Sequence, residues 1–149
     1  MKLVSPKLVE NCKCEPVDIS EIDEIMKTAD KMFELMTAKN GIGLAAPQIG
    51  IFKRFFIMKN FSGPGCQLII NPVISWKSDK TGSFKEGCLT YNTPSENPHW
   101  YVRRPKSIIA SWWLSDGSGM SKKMSSLTAQ VFQHEFQHLD GITIKTNHS

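Results

Sequence analysis

The segment His134-Glu135-Phe136-Gln137-His138 sets two imidazoles four residues apart with a carboxylate beside the first. On a helix, residues four apart lie one above the other, so both rings reach one ion while Glu135 stands beside it to handle the proton of an activated water. That is the chemistry of metal-assisted hydrolysis. The bland alternative is a chance coincidence on an amphipathic helix. Against it, Leu127, Val131, His134 and His138 fall on one stripe at spacings of four, three and four. The histidines are therefore expected to face the same core as the leucine and valine, where a polar group without a partner is costly.

Two imidazoles leave a tetrahedral ion one protein ligand short if its fourth position is kept for water. Peptidases built on this pattern take the third ligand from downstream. Here no Glu follows Glu135, and Ile144 stands where the extended pattern through Gly141 would require a histidine. His148 is read as tail. The donor that remains is Cys88, within Glu86-Gly87-Cys88-Leu89-Thr90. A thiolate with two imidazoles and a water makes an open catalytic site that suits iron or zinc. A cysteine with no such company is more often a small buried hydrophobe. Two rival readings stay open at this point: a peptidase acting on internal bonds, and a non-enzymatic module whose metal is closed off by Cys12, Cys14 or Cys66.

These residues must be positioned by regular elements. From Ser20 to Lys39 the apolar residues Ile22, Ile25, Met26, Ala29, Met32, Phe33 and Met36 recur at spacings characteristic of one buried helix face. Ser20 and Asp23 resemble a capping box at its start, and Asn40-Gly41 supplies the stop. Short apolar runs at 54–58, 68–74 and 107–114 read as strands between Gly, Pro, Asn and Ser clusters. Asp116-Gly117 is a hairpin signal, so the segment to Met124 is expected to return antiparallel. A last helix is expected from Ser125 or Ser126, either a suitable cap, to Leu139, with Gly141 ending it. Helix, short strands and helix make an α+β fold: mixed or antiparallel strands around a central metal-binding helix, with a second helix near the N-terminus.

The 149 residues are read as one catalytic domain spanning 1–149. The net charge of +4 is scattered, without a basic stripe interleaved with aromatics, so no specific nucleic-acid binding is expected. No apolar run approaches membrane-spanning length and no leader segment is evident. A cytoplasmic monomer is the expectation.

Three segments, in this order, resemble the motifs of peptide deformylases: Gly41-Ile42-Gly43-Leu44-Ala45-Ala46-Pro47-Gln48, Glu86-Gly87-Cys88-Leu89-Thr90, and Gln133-His134-Glu135-Phe136-Gln137-His138-Leu139-Asp140-Gly141. The similarity reaches beyond them, through Pro16-Val17-Asp18 and the stretch 102–117, and the shortness of the chain is similar to that of phage-encoded members. The resemblance implies a peptide deformylase-like fold that removes the formyl group from N-formylmethionyl nascent peptides. Cys88, His134 and His138 would hold one divalent cation, Fe(II) by family habit, with Zn(II), Ni(II) or Co(II) able to occupy the site. Glu135 would act as general base and acid, with the Gln48 side-chain amide and the Leu89 backbone N–H as oxyanion donors. Ile42, Gly43 and Gly87 would lie along the peptide, and Ile42, Leu127 and Val131 would line the methionine pocket, ordinary core being the alternative for those three. Glu86 is also a candidate to pair with Arg103 or Arg104 and brace the Cys88 loop, surface charges being the alternative for all three. Departures from the family pattern are Thr90 for Ser, Tyr91-Asn92 for an apolar-Pro pair, and Gln137 for Asp. Ribosome association, a property of longer members, is left open.

Overall fold

Every side chain from Phe55 to Met58 is buried. Neighbouring residues on a strand point to opposite faces, so a continuous apolar strand needs cover on both sides. In the computed structural model, which describes residues 1–93 and 95–147, that cover is two helices. Strand β2 (Phe55–Lys59) belongs to a five-stranded antiparallel sheet of order β1-β2-β3-β6-β7. Its other members are β1 (Gly43–Ala45), β3 (Cys66–Lys77), β6 (Ser107–Trp113) and β7 (Gly119–Ser125). On one face Phe55 and Ile57 pack with Ile25, Ala29, Met32 and Met36 of α2 (Ile22–Ala38). On the other, Phe56 and Met58 pack with Ala129, Val131 and Phe132 of α3 (Ser126–His138).

A separate antiparallel pair, β4 (Thr81–Glu86) with β5 (Trp100–Pro105), lies outside this sheet. A one-turn helix α1 (Pro6–Val9) precedes them all. The class is α+β as expected, and every ladder between named strands is antiparallel; a lone Glu15–Lys53 bridge is parallel. Among the described residues no helix is long and apolar enough to cross a membrane.

Several boundaries differ from the sequence reading. The Ser20–Asp23 cap does not form. Asp18 takes that place, accepting from the Ser20 N–H at 2.9 Å while its own N–H donates to Glu21 Oε1 at 2.9 Å, so a 3-10 turn at Ile19–Glu21 precedes α2. A carboxylate is a stronger acceptor for unpaired N–H groups than a hydroxyl. At the other end Asn40 adopts φ +55° and the Gly41 N–H bonds Met36 O at 2.8 Å, the stop foreseen for Asn40-Gly41. The Ser125 hydroxyl does not cap α3; it pairs with Ser107 Oγ at 2.8 Å, tying β7 to β6. The hairpin at Asp116-Gly117 forms, with Gly117 at φ +85° and strand β7 returning along β6.

Strands β1, β4 and β5 had no clear sequence signature. β1 is short, β4 alternates exposed with half-buried residues up to the buried Glu86, and the inward positions of β5 include a charged residue, Arg104, beside Val102.

Phe132 fixes α3 to the sheet. Its ring meets Phe56 edge-on at 5.1 Å and Trp112 at 5.7 Å, and it is fully buried. Phe132→Ala is expected to cost about 3–5 kcal/mol, read as a lower urea midpoint at unchanged slope; a loss under about 1 kcal/mol would show that α3 is held by other contacts.

Candidate active site

The stripe on α3 does not face one core. Leu127 is 45% exposed at the mouth of a cavity, Val131 and His134 line its wall, and His138 lies fully buried beyond them. Val131 also packs with Ala129 and Phe132 in the sheet core, so it borders both core and cavity. The stripe therefore runs from solvent inward along a cavity of about 540 Å³, a size suited to a small ligand. Ile42, 41% exposed, lines the same space with Gly43, Gly87 and Leu89. For Ile42 and Leu127 the core alternative is thereby set aside.

Cys88 reaches this cavity from the loop that follows β4, just before a 3-10 turn at Leu89–Tyr91. One ligand atom from each of Cys88, His134 and His138 lies within 4.8 Å of the others. Cys88 Sγ is 3.4 Å from His138 Nε2, and the two imidazoles stand nearly perpendicular with centroids 4.8 Å apart. A sulfur and two ring nitrogens are a donor set for a borderline divalent ion. Glu135 Oε1 and His138 Nδ1 are buried without a hydrogen-bond partner among the described residues, a cost that an ion and its water would relieve at the carboxylate. The residues thus fit a cation. Cys12, Cys14 and Cys66 do not join them: Cys12 donates to the His138 carbonyl at 3.3 Å, Cys14 lies in the sheet core, and Cys66 packs on the α2 side. Among the described residues no second cysteine supplies a fourth ligand, which is the arrangement of an open site.

A buried ionic network holds the ligands in place. Arg104 of β5 grips Glu86 with two hydrogen bonds, Nε to Oε2 at 2.7 Å and Nη2 to Oε1 at 2.8 Å. Glu86 Oε1 is also 2.9 Å from His134 Nδ1. The third Arg104 nitrogen donates to Gln137 Oε1 at 2.8 Å, so the network spans β4, β5 and α3. Arg103 takes no part; it donates to Thr81. Burial would raise the Glu86 carboxyl, but the hydrogen bonds and charges of Arg104 and His134 outweigh it and hold it down to about 2. Its carboxylate accepts from one ring nitrogen of His134 and leaves the other for an ion. Burial disfavours charge on both histidines. The carboxylates of Glu135 and Glu86 and the Cys88 thiol turn the net direction upward for His134, whereas His138, beside His134 and Arg104, stays well below the usual range.

Glu135 lies beside the ligands, Oε1 3.8 Å from His138 Nε2. Burial pushes its carboxyl up to about 7, against the lowering influence of His134. Its other oxygen is packed against Gly43 so closely that a Cβ there would collide with the carboxylate. Gly43 therefore makes room for Glu135 from within the protein, beyond its expected place along a peptide. Gln48, almost fully buried, accepts the Ala45 N–H at 2.8 Å; its amide donates to Thr90 Oγ1 at 3.0 Å and points at Cys88 Sγ at 3.6 Å.

Thr90 and Gln137 thus supply the hydroxyl and the acceptor their positions require. Tyr91 turns away from the cavity, bonding Glu10 Oε1 at 2.6 Å and Thr143 Oγ1 at 2.8 Å, whereas Asn92 lines it. His99 sits at the rim: a Cβ on Gly87 would lie 3.1 Å from its Nε2. Nothing in its Pro-containing sequence context signals this. His148 lies outside the described residues.

Removing Arg104 would leave Glu86 buried without its main counter-charge. Arg104→Ala is expected to lose about 3–5 kcal/mol of stability and to release bound metal faster to a chelator; unchanged release would detach the network from the ligands. Gly43→Ala should displace Glu135, lowering turnover at least about 100-fold while metal content by elemental analysis stays near that of the parent. Full activity in that variant would show that the carboxylate has room to move.

A family model described as polypeptide deformylase matches residues 3–148. The peptide deformylase of Thermotoga sp. (strain RQ2) is 38% identical over 124 residues, 82% of this chain and 71% of that protein. The crystal structure of peptide deformylase from Thermotoga maritima superposes with a TM-score of 0.89 at 33% identity, covering 99% of this chain and 97% of that one. A probable peptide deformylase from Synechococcus phage S-SSM7 superposes with a TM-score of 0.83 at 38% identity, covering 99% of both chains. Similarity of this extent, over a chain whose fold gathers a cysteine and two histidines around one buried point, means that it belongs to the peptide deformylase family.

Proposed function

We propose the following division of labour for the reaction of this metallohydrolase, which removes the N-formyl group from nascent peptides. Cys88, His134 and His138 hold the divalent cation, and the observation that carries this is the convergence of their donor atoms within 4.8 Å. A cation there supplies Lewis acidity, which acidifies water and polarises the formyl carbonyl. Fe(II) is our choice of native metal, with Zn(II), Ni(II) or Co(II) as substitutes; a donor set of one thiolate and two imidazoles accommodates all of them.

Glu135 accepts a proton from the water that attacks the formyl carbon. As the C–N bond breaks, it returns that proton to the amine of the methionine and formate departs. Its upward-shifted carboxyl is suited to both giving and taking a proton near neutral pH. The Gln48 amide, now divided between Thr90 and Cys88, and the backbone N–H of Leu89, a residue that lines the cavity, stabilise charge on the carbonyl oxygen. Ile42, Leu127 and Val131 receive the methionine side chain, and Gly43 and Gly87 let an extended peptide approach the main chain. We further propose that the enzyme works as a cytoplasmic monomer on its substrate.

Anaerobically purified protein should release formate from formyl-Met-Ala-Ser, lose that activity on chelation and regain it with a divalent cation. Rapid loss in air would favour iron over zinc. Glu135→Gln should retain the cation and lose about 100- to 10,000-fold in kcat; substantial residual turnover would remove Glu135 from its role. Gln48→Ala should lower kcat by about 100-fold or more, and a change confined to KM would assign it to binding alone.

A further inference from the structure

We infer that this enzyme favours formylated peptides with acidic residues after the methionine, because two exposed lysines from separate segments line its cavity and no exposed acid among the described residues does. The inference rests on the deformylase reading of the site and adds a substrate class to it. Lys39 ends α2 just before Gly41-Ile42-Gly43, and Lys85 sits near the end of β4 just before Gly87. Both are exposed and both line the cavity. In the proposed binding mode, with the formyl group at Cys88 and the methionine against Ile42 and Leu127, the peptide leaves past these two segments, both of which line the cavity. An extended chain advances about 3.3 Å per residue, so its second and third residues pass within the sweep of a lysine's flexible four-carbon stem.

The remaining charges do not offset the lysines. The two acids that line the cavity, Glu86 and Glu135, are buried, and Glu86 is paired with Arg104. Glu96, in the loop between Asn92 and Asn97, does not line it. The other polar groups at the mouth are neutral amides, such as Asn40, Asn97 and Gln130, together with the His99 imidazole beside Gly87. A cleft rimmed by one sign of charge concentrates ligands of the other sign. Since the lysines are exposed and remote from the reacting carbon, the effect belongs in KM and is screened by salt.

The test compares formyl-Met-Asp-Asp, formyl-Met-Ala-Ser and formyl-Met-Lys-Lys with the metal-loaded enzyme at low ionic strength and in about 0.5 M salt. The expected result is a kcat/KM about three- to tenfold higher for the acidic peptide than for the basic one, carried by KM and shrinking toward unity in salt. In the Lys39→Glu/Lys85→Glu double variant the order should invert. Equal values, a preference for the basic peptide, or an acidic preference that survives the double substitution would each overturn the inference. Calorimetric Kd values for the deformylated products Met-Asp-Asp and Met-Lys-Lys read the same selectivity without turnover. Failure of formyl-Met-Ala-Ser to release formate, by contrast, counts against the deformylase reading itself.

Discussion

The geometry of the active site depends on a buried arginine. Arg104 is almost wholly enclosed, and its guanidinium is spent on Glu86 and Gln137. An ion pair removed from water contributes little net stability compared with a well-packed apolar pair, but breaking one partner is costly. Its value here is positional. The pair joins the two-stranded sheet, which leads into Cys88, to the helix that bears both histidines, and through Glu86 it also sets the orientation of His134. A bidentate fork tolerates little displacement, so the ligand from one sheet and the ligands from the helix are kept in register.

The large apolar features were legible in sequence. The stripe of α2, the runs that became β2, β3 and β6, and the Asp116-Gly117 hairpin all follow from periodicity and turn chemistry. The convergence of Cys88, His134 and His138 was also legible, because ligand types and helical spacing limit the choices. What could not be read depends on distant pairing. β4 and β5 bury too little apolar surface for a pattern, the choice of Arg104 over Arg103 depends on strand register, and the rim position of His99 depends on a loop whose path no local rule fixes. The stripe from Leu127 to His138 was correctly grouped but wrongly faced: periodicity reports that residues share a side of a helix, not whether that side meets core or a cavity.

The departures from the family pattern sort by direction. Thr90 and Gln137 point into the hydrogen-bond network and keep an oxygen where one is used. Tyr91 points the other way, where its hydroxyl links the loop after Cys88 to Glu10 and Thr143 and its ring meets Trp100 edge-on at 5.5 Å. Asn92 is the departure that reaches the cavity wall.

The close fit of Gly43 against Glu135 also constrains how this protein can vary over time. Glycine at that position leaves the space occupied by the enzyme's own carboxylate, and under the proposed binding mode it answers to a second demand, the nearness of a peptide's main chain. A new substrate could relax the second demand without touching the first. Lineages that drift toward other amides would therefore still inherit the glycine for as long as the carboxylate remains, and its persistence would testify to the chemistry and not to the substrate.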